Sequence, residues 1–265
     1  LLDVELANGD RSLHTMKDVN FRDPPVFEVV LSIQFEPIPG LASYRSGDLH
    51  ARWSEVHPLV SQQPELPPLA PLDEEEGGLF LQLGPSAGSR LWYETANRVY
   101  LVQLQADRLA VNWRRMTADP YPRYPEVRAH LVRVWKDLVE VLGATPVANQ
   151  VEATYVNRIA RSPETVLTGW DNPMCAQDDG RFNAAFEQSL RLAGTTKARG
   201  QTAVGGRYGE PAETLLSLTV RAVPERADMP IDAIDAARLH IVNRFRDVTD
   251  TLVHEEWGVV DDSDA

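Results

Sequence analysis

Apolar and polar residues alternate most regularly over 24–37, where Phe27, Val29, Leu31, Ile33 and Phe35 fall on one side of an extended chain. Glu28, Ser32, Gln34 and Glu36 fall on the other with Val26 and Val30. A period of two marks a half-buried strand, and prolines at 24, 25 and 37 bound it. Between 79 and 115 the segments LFLQL, RLWYET, RVYLVQLQ and RLAVNWRR read as an antiparallel meander with turns near Ala96-Asn97 and Ala106-Asp107. A two-residue turn at Ala106-Asp107 sets Leu104 opposite Leu109, Val102 opposite Val111 and Tyr100 opposite Trp113, with Leu91 and Tyr93 on the same side. Such pairs contribute roughly 0.2 to 1 kcal/mol each. Residues 150–160 (QVEATYVNRIA) form a second long strand, and 215–223 (LLSLTVRAV) another.

The period changes to that of a helix over 125–142, where Val127, Leu131, Val134, Leu138 and Val141 recur three and four apart and Val132, Trp135 and Val139 widen the stripe. Gly143 stops it. A closing helix is expected from Pro230 to Trp257, with Ile234, Ile241, Phe245, Val248 and Leu252 inward. A short one is expected from Ser46 or Asp48 to about Val56. Residues 61–78 (SQQPELPPLAPLDEEEGG) read as a long surface loop, because each proline removes a donor and restricts its predecessor. The pattern is weakest over 161–212, where a short helix over 181–192 is followed by strands joined by a loop. A tight meander with strands of alternating polarity favours antiparallel sheets over a parallel one. The expected fold is α+β: antiparallel sheets covered on one face by long helices, in two similar halves that could be a pseudo-repeat. The halves span 21–145 and 146–258 and pack as one unit, with a polar lead-in at 1–20 and an acidic tail at 259–265. Met16 could be a start within that lead-in.

Composition narrows the function classes. A formal charge of -13 and a pI near 4.9 disfavour a general phosphate-binding surface, although Arg90, Arg98, Arg108, Arg114 and Arg115 could form a local basic surface. A single cysteine, Cys175, excludes an internal disulfide framework, and with no apolar span of about 20 residues the reading is cytoplasmic.

Few residues suggest chemistry. Asn157 shares the parity of Val151, Ala153, Tyr155 and Ile159, so its amide points to an otherwise apolar face and needs hydrogen-bond partners. It is read as a structural amide or as a polar anchor in a ligand or partner groove, together with Tyr155, and with Arg158 on the opposite face. Asn112 and Arg114 make a similar case. His50 and His57 share a helical face at i and i+7, but no carboxylate completes a metal-ligand spacing. His254-Glu255-Glu256 resembles an acid/base cluster, which makes His254 a candidate beside His50 and His57, but near a helix end it more often marks a solvated face over Trp257. No G-x-S-x-G, Walker A or G-x-G-x-x-G motif occurs, and no metal or cofactor is expected.

The segments PPVFEVVLSIQFEPI, LVQLQADRLAVNWR followed by YPRYPEV, TYVNRI and LHIVNRFRDVTDTLVHEEWG, in that order over 22–258, resemble the sporadically distributed family of uncharacterised bacterial proteins. That family is marked by PPVxEVV, YxNRI and a C-terminal H-x-x-WG helix. The resemblance implies no assigned reaction or catalytic set, and an accessory role such as a defence or toxin-linked system. The leading expectation is a non-enzymatic interaction or regulatory module binding another protein, encoded nearby, or a second copy of itself. The alternative is an enzyme or binder acting on a small molecule or nucleic acid through dispersed His, Asn and Arg residues.

Overall fold

The computed structural model describes residues 20–72, 88–116, 118–170, 181–207 and 211–260. In chain order they form β1 (Asn20–Phe21), β2 (Val26–Phe35), α1 (Gly47–Trp53), β3 (Leu59–Pro64), β4 (Ser89–Glu94), β5 (Tyr100–Gln105), β6 (Arg108–Arg114), α2 (Tyr124–Leu142) and β7 (Ala148–Ile159). The chain continues with β8 (Arg181–Leu190), β9 (Thr195–Arg207), β10 (Glu213–Pro224), α3 (Pro230–Val248), α4 (Thr251–Trp257) and β11 (Val259–Val260). The fold is α+β. One nine-stranded sheet has the order β3-β4-β5-β6-β2-β7-β10-β9-β8, every neighbouring pair antiparallel. β1 and β11 form a separate two-stranded pair.

The two long alternating segments, β2 and β7, lie side by side at the centre of the sheet. Their apolar parity is buried at Val29, Leu31, Ile33 and Phe35 of β2 and at Val151, Ala153 and Tyr155 of β7, but a register shift between Val26 and Glu28 buries Val26 in place of the expected Phe27. The meander has the expected register, with Leu104 opposite Leu109, Val102 opposite Val111, Tyr100 opposite Trp113 and Leu91 opposite Leu104. α2 packs on β6 and β2, and α3 on β10 and β7. The inner stripe of α2, from Val127 through Leu131 and Val134 to Leu138, is buried. Gly143, at φ +69, ends α2 in the left-handed conformation that glycine adopts without steric cost. α1 is tied to α2 by Trp53 Nε1 donating to Asp137 at 2.9 Å and by Arg52 donating to Glu140 at 2.7 Å.

Four further expectations are corrected. Residues 181–192 are not a helix; 181–190 form β8, each residue paired with β9. The single strand β9 replaces several strands and a loop over 195–207. The start of the proline-rich segment is β3, an edge strand ending at Pro64. The closing helix breaks at Thr249, which adopts extended backbone and bridges Leu167, while Asp250 N donates to Val166 O at 2.7 Å. Asp250 then caps α4 by accepting from Leu252 N at 2.8 Å. The segment LFLQL, the run 73–76, Cys175 and most of the lead-in and tail lie outside the described residues.

Residues 65–70 cross the side of the sheet away from α2 and α3, held by side chains rather than by strand pairing. Gln105 exchanges hydrogen bonds with Leu66 N and O at 3.2 and 3.0 Å, Gln34 accepts from Leu69 N at 2.6 Å, and Arg108 donates to Pro67 O at 2.9 Å. Gln150 and Arg221 donate to Ala70 O. No helix among the described residues is long and apolar enough to cross a membrane.

Candidate functional site

A cavity of about 410 Å³ opens between the N-terminal end of α2 and the middle of α3, over the central strands. This lies within the roughly 300–1,000 Å³ typical of small-molecule sites. Its floor is Val26 of β2, Tyr155 and Asn157 of β7 and Leu218 of β10; Tyr121, Arg123 and Tyr124 form one wall, and Arg238, Ile241 and Phe245 the other. The third side is the chain 20–24, through Asn20, Phe21 and Pro24.

The sequence builds this opening in separable steps. Arg238, Ile241 and Phe245 recur at helical spacing, so one face of α3 presents a charge and two apolar groups together. Tyr155 and Asn157 share strand parity, so both point up from the floor. Arg123, just before α2, has φ +80 and ψ 157, a region that non-glycine residues rarely occupy. Its guanidinium donates to Phe21 O and Arg22 O, both at 2.5 Å, and so ties the strained residue to the N-terminal wall. That wall is anchored further by Arg22 N donating to Gly258 O at 2.7 Å and by Phe21 packing edge-on against Phe245 and Trp257.

Polar groups at the cavity are few and fixed. Asn157 is 2 % exposed and its Nδ2 donates to Leu216 O at 3.2 Å. The amide is thus bonded to backbone, and the residue lines an apolar cavity. Tyr121 Oη and Tyr155 Oη lie 3.2 Å apart. Burial, with Tyr155 beside it, pushes the Tyr121 phenol far above its ordinary range. Tyr124 is raised likewise, first by burial and then by its hydrogen bond to Asp235. Asp235 also takes a bidentate pair from Arg128 at 2.7 and 2.8 Å, which joins α2 to α3 beside the cavity. Arg238 lies over the Tyr124 ring at 5.0 Å. Among the described residues the charged groups lining the cavity are Arg123 and Arg238, both cationic.

The other residues singled out from sequence are placed elsewhere. Arg158 ion-pairs with Glu213 at 2.5 Å and sits over Phe27 on the outer side of β7. Asn112 bridges Gln103 and Glu28 on the side away from α2, and Arg114 pairs with Glu94 at 3.0 Å. The arginines of the meander do not form one exposed basic surface: Arg108 is buried, and Arg90 donates to Gln103 at 2.9 Å. His50 is exposed, whereas His57 is buried against His130 with ring centroids 5.0 Å apart. His254 is buried rather than solvated, with Nε2 2.7 Å from Thr249 Oγ1 and Phe21 and Trp257 around it. Of His50, His57, Asn157, Arg158 and His254, only Asn157 lines the cavity. No group of three His, Cys, Asp or Glu arranged to hold a metal occurs among the described residues. Sequence reasoning misses Tyr121, Tyr124 and Arg238; the signals are the tyrosines of YPRYP and the position of Arg238 one turn before the inward Ile241.

Compared with family models, with curated proteins and with solved structures, the chain shows no match.

Proposed function

We propose that the protein is a binding and regulatory module that takes up one small, mainly apolar molecule bearing an acidic group in the cavity between α2 and α3. The carrying observation is the cavity's make-up: aromatic and aliphatic walls, a buried amide on the floor, a tyrosine pair between floor and wall, and two guanidinium groups with no carboxylate among the described lining residues. Raised tyrosines do not ionise near neutrality, so this lining suits recognition better than proton transfer. On the same reading the chain is two similar halves, 21–145 and 146–258, whose long helices α2 and α3 cover one face of the sheet, with the site where the halves meet. It sits with the sporadically distributed bacterial family through the segments PPVFEVV, YVNRI and HEEWG, in an accessory role within the cytoplasm.

Titration with anilinonaphthalene sulfonate, an aromatic probe with one sulfonate, tests this by fluorescence. One saturable site per chain is expected, weakened about tenfold in Asn157→Leu and in Arg238→Gln, since a hydrogen bond to a charged or buried group contributes about 1.5 kcal/mol or more. Absence of saturable binding, or equal affinity in both variants, counts against it.

A second reading keeps the protein partner and rests on β8. This outer strand is ten residues long, pairs among the described residues only with β9, carries only Arg181 and Glu187 as charges, and exposes Phe186 at 59 %. Long unpaired edges with few charges invite strand addition, and a second copy of β8 added antiparallel gives a two-fold dimer. Light scattering after size exclusion should then show a dimer that Phe186→Lys converts to monomer. A wild-type monomer at every concentration removes this reading.

A further inference from the structure

On the side of the sheet away from α2 and α3, beneath the crossing segment 65–70, lies a second and smaller pocket of about 60 Å³. That is room for roughly two waters at about 30 Å³ each. Ser32, Arg90, Arg108 and Glu152 line it, with Leu66 as its roof.

Donors and acceptors are unevenly matched here. Each amide oxygen nearby is already occupied: Gln103 Oε1 by Arg90 Nη1 at 2.9 Å, Gln105 Oε1 by Leu66 N at 3.2 Å, and Gln34 Oε1 by Leu69 N and Arg108 Nη2 at 2.6 and 3.0 Å. Ser32 Oγ, Arg90 Nε and Arg108 Nε are buried with no hydrogen-bond partner. Ser32 is 2 % and Arg108 8 % exposed, so neither side chain can turn to bulk water for one. Buried donors of this kind are normally satisfied. Glu152 is the carboxylate in the lining, and Asp107 and Glu65 act on Arg108 as well as Glu152. Burial first, then Arg108, lowers Arg90; burial lowers Arg221 too, with Glu152 raising it and Arg199 and Arg108 lowering it.

We propose that this pocket binds one small planar oxyanion, of the carboxylate, bicarbonate or nitrate kind, accepting from Ser32 Oγ–H and from the Nε–H groups of Arg90 and Arg108. Guanidinium groups suit planar oxyanions in geometry as well as charge. The site is held ready before the ion arrives, since Arg108 is fixed by Gln34 and Pro67 O, and Arg90 by Gln103. Glu152 opposes the ion only while ionised, and burial raises its carboxyl above the usual range. The pocket is separate from the cavity under α3 and does not depend on that cavity's ligand.

The test uses the full chain and proton–nitrogen correlation spectra of the arginine Nε–H groups. Sodium formate or sodium nitrate is titrated at constant ionic strength set by sodium perchlorate, whose tetrahedral anion is bulkier. Saturable single-site shifts of Arg90 and Arg108 are expected with formate or nitrate. They should weaken about tenfold in Ser32→Ala and tighten in Glu152→Gln. In perchlorate alone Ser32→Ala should keep the wild-type unfolding midpoint, because its hydroxyl has no partner to lose, so weakened binding cannot be blamed on misfolding. Shifts that never saturate, or that perchlorate reproduces, overturn the proposal and leave water in the pocket.

Discussion

Lowering the pH from 7 to 4 should remove about 4 kcal/mol of folding stability through two histidines, His57 and His130. Both are buried, at 2 and 7 % exposure, and their rings pack 5.0 Å apart, with His130 stacked on Tyr100 at 4.7 Å. Burial lowers His57 to about 4, assisted by Arg133. Burial lowers His130 to about 3, assisted by His57 and Arg133. In the unfolded chain each titrates near 6.5. Below that pH the unfolded state binds two protons that the folded state refuses, so stability is full above about 6.5 and falls as pH drops toward the folded values. A tenfold difference in proton affinity between the two states corresponds to about 1.4 kcal/mol, and screening by solvent reduces the total for the pair. Urea unfolding of the wild type and of His57→Phe/His130→Phe at pH 7, 5.5 and 4 isolates the effect from the carboxylates, which titrate alike in both. The double variant should be flatter with pH by several kcal/mol; parallel profiles would mean that the pair is solvated.

Leu31→Ala should destabilise the fold by about 3 kcal/mol, within the 2–5 kcal/mol range of a fully buried leucine cut back to a methyl. Leu31 has no exposed surface and lies in β2, between Val111 of β6 and Ala153 of β7, in the same core cluster as Leu131 and Val134 of α2. Strands on both flanks and a helix above restrict collapse around the deleted atoms. Leu59→Ala in the exposed edge strand β3 removes the same atoms and should cost under about 0.5 kcal/mol. Urea midpoints at unchanged slope measure both. A loss below about 1 kcal/mol for Leu31→Ala would show that β2 is not the structural centre.

How much is legible in sequence follows from where each element lies. β2, β7, the meander and α2 each set mainly apolar residues on one face and more polar ones on the other, so period alone places them, and the turn at Ala106-Asp107 fixes the register of Leu104 and Leu109. β8 resembles a helix in sequence because an edge strand exposed on both sides has no alternation, and NAAFEQSL is rich in helix formers; pairing along β9 overrides that preference. The break at Thr249 is hidden by the apolar spacing of Ile241, Phe245, Val248 and Leu252, which continues across it, although Thr-Asp-Thr is a capping sequence. At the site, parity alone identifies Tyr155 and Asn157. The remaining walls come from segments about 30 to 140 residues away in sequence, and their convergence is a property of the sheet order, which no local pattern encodes.

The central claim is that the cavity between α2 and α3 is the binding site, and filling it tests that directly. Leu218 lies on the floor, in β10 opposite Tyr155. In Leu218→Trp the indole should occupy the cavity, and the fluorescence titration with anilinonaphthalene sulfonate should lose its saturable site while the unfolding midpoint stays near that of the wild type. Unchanged affinity in a folded Leu218→Trp protein would contradict the account.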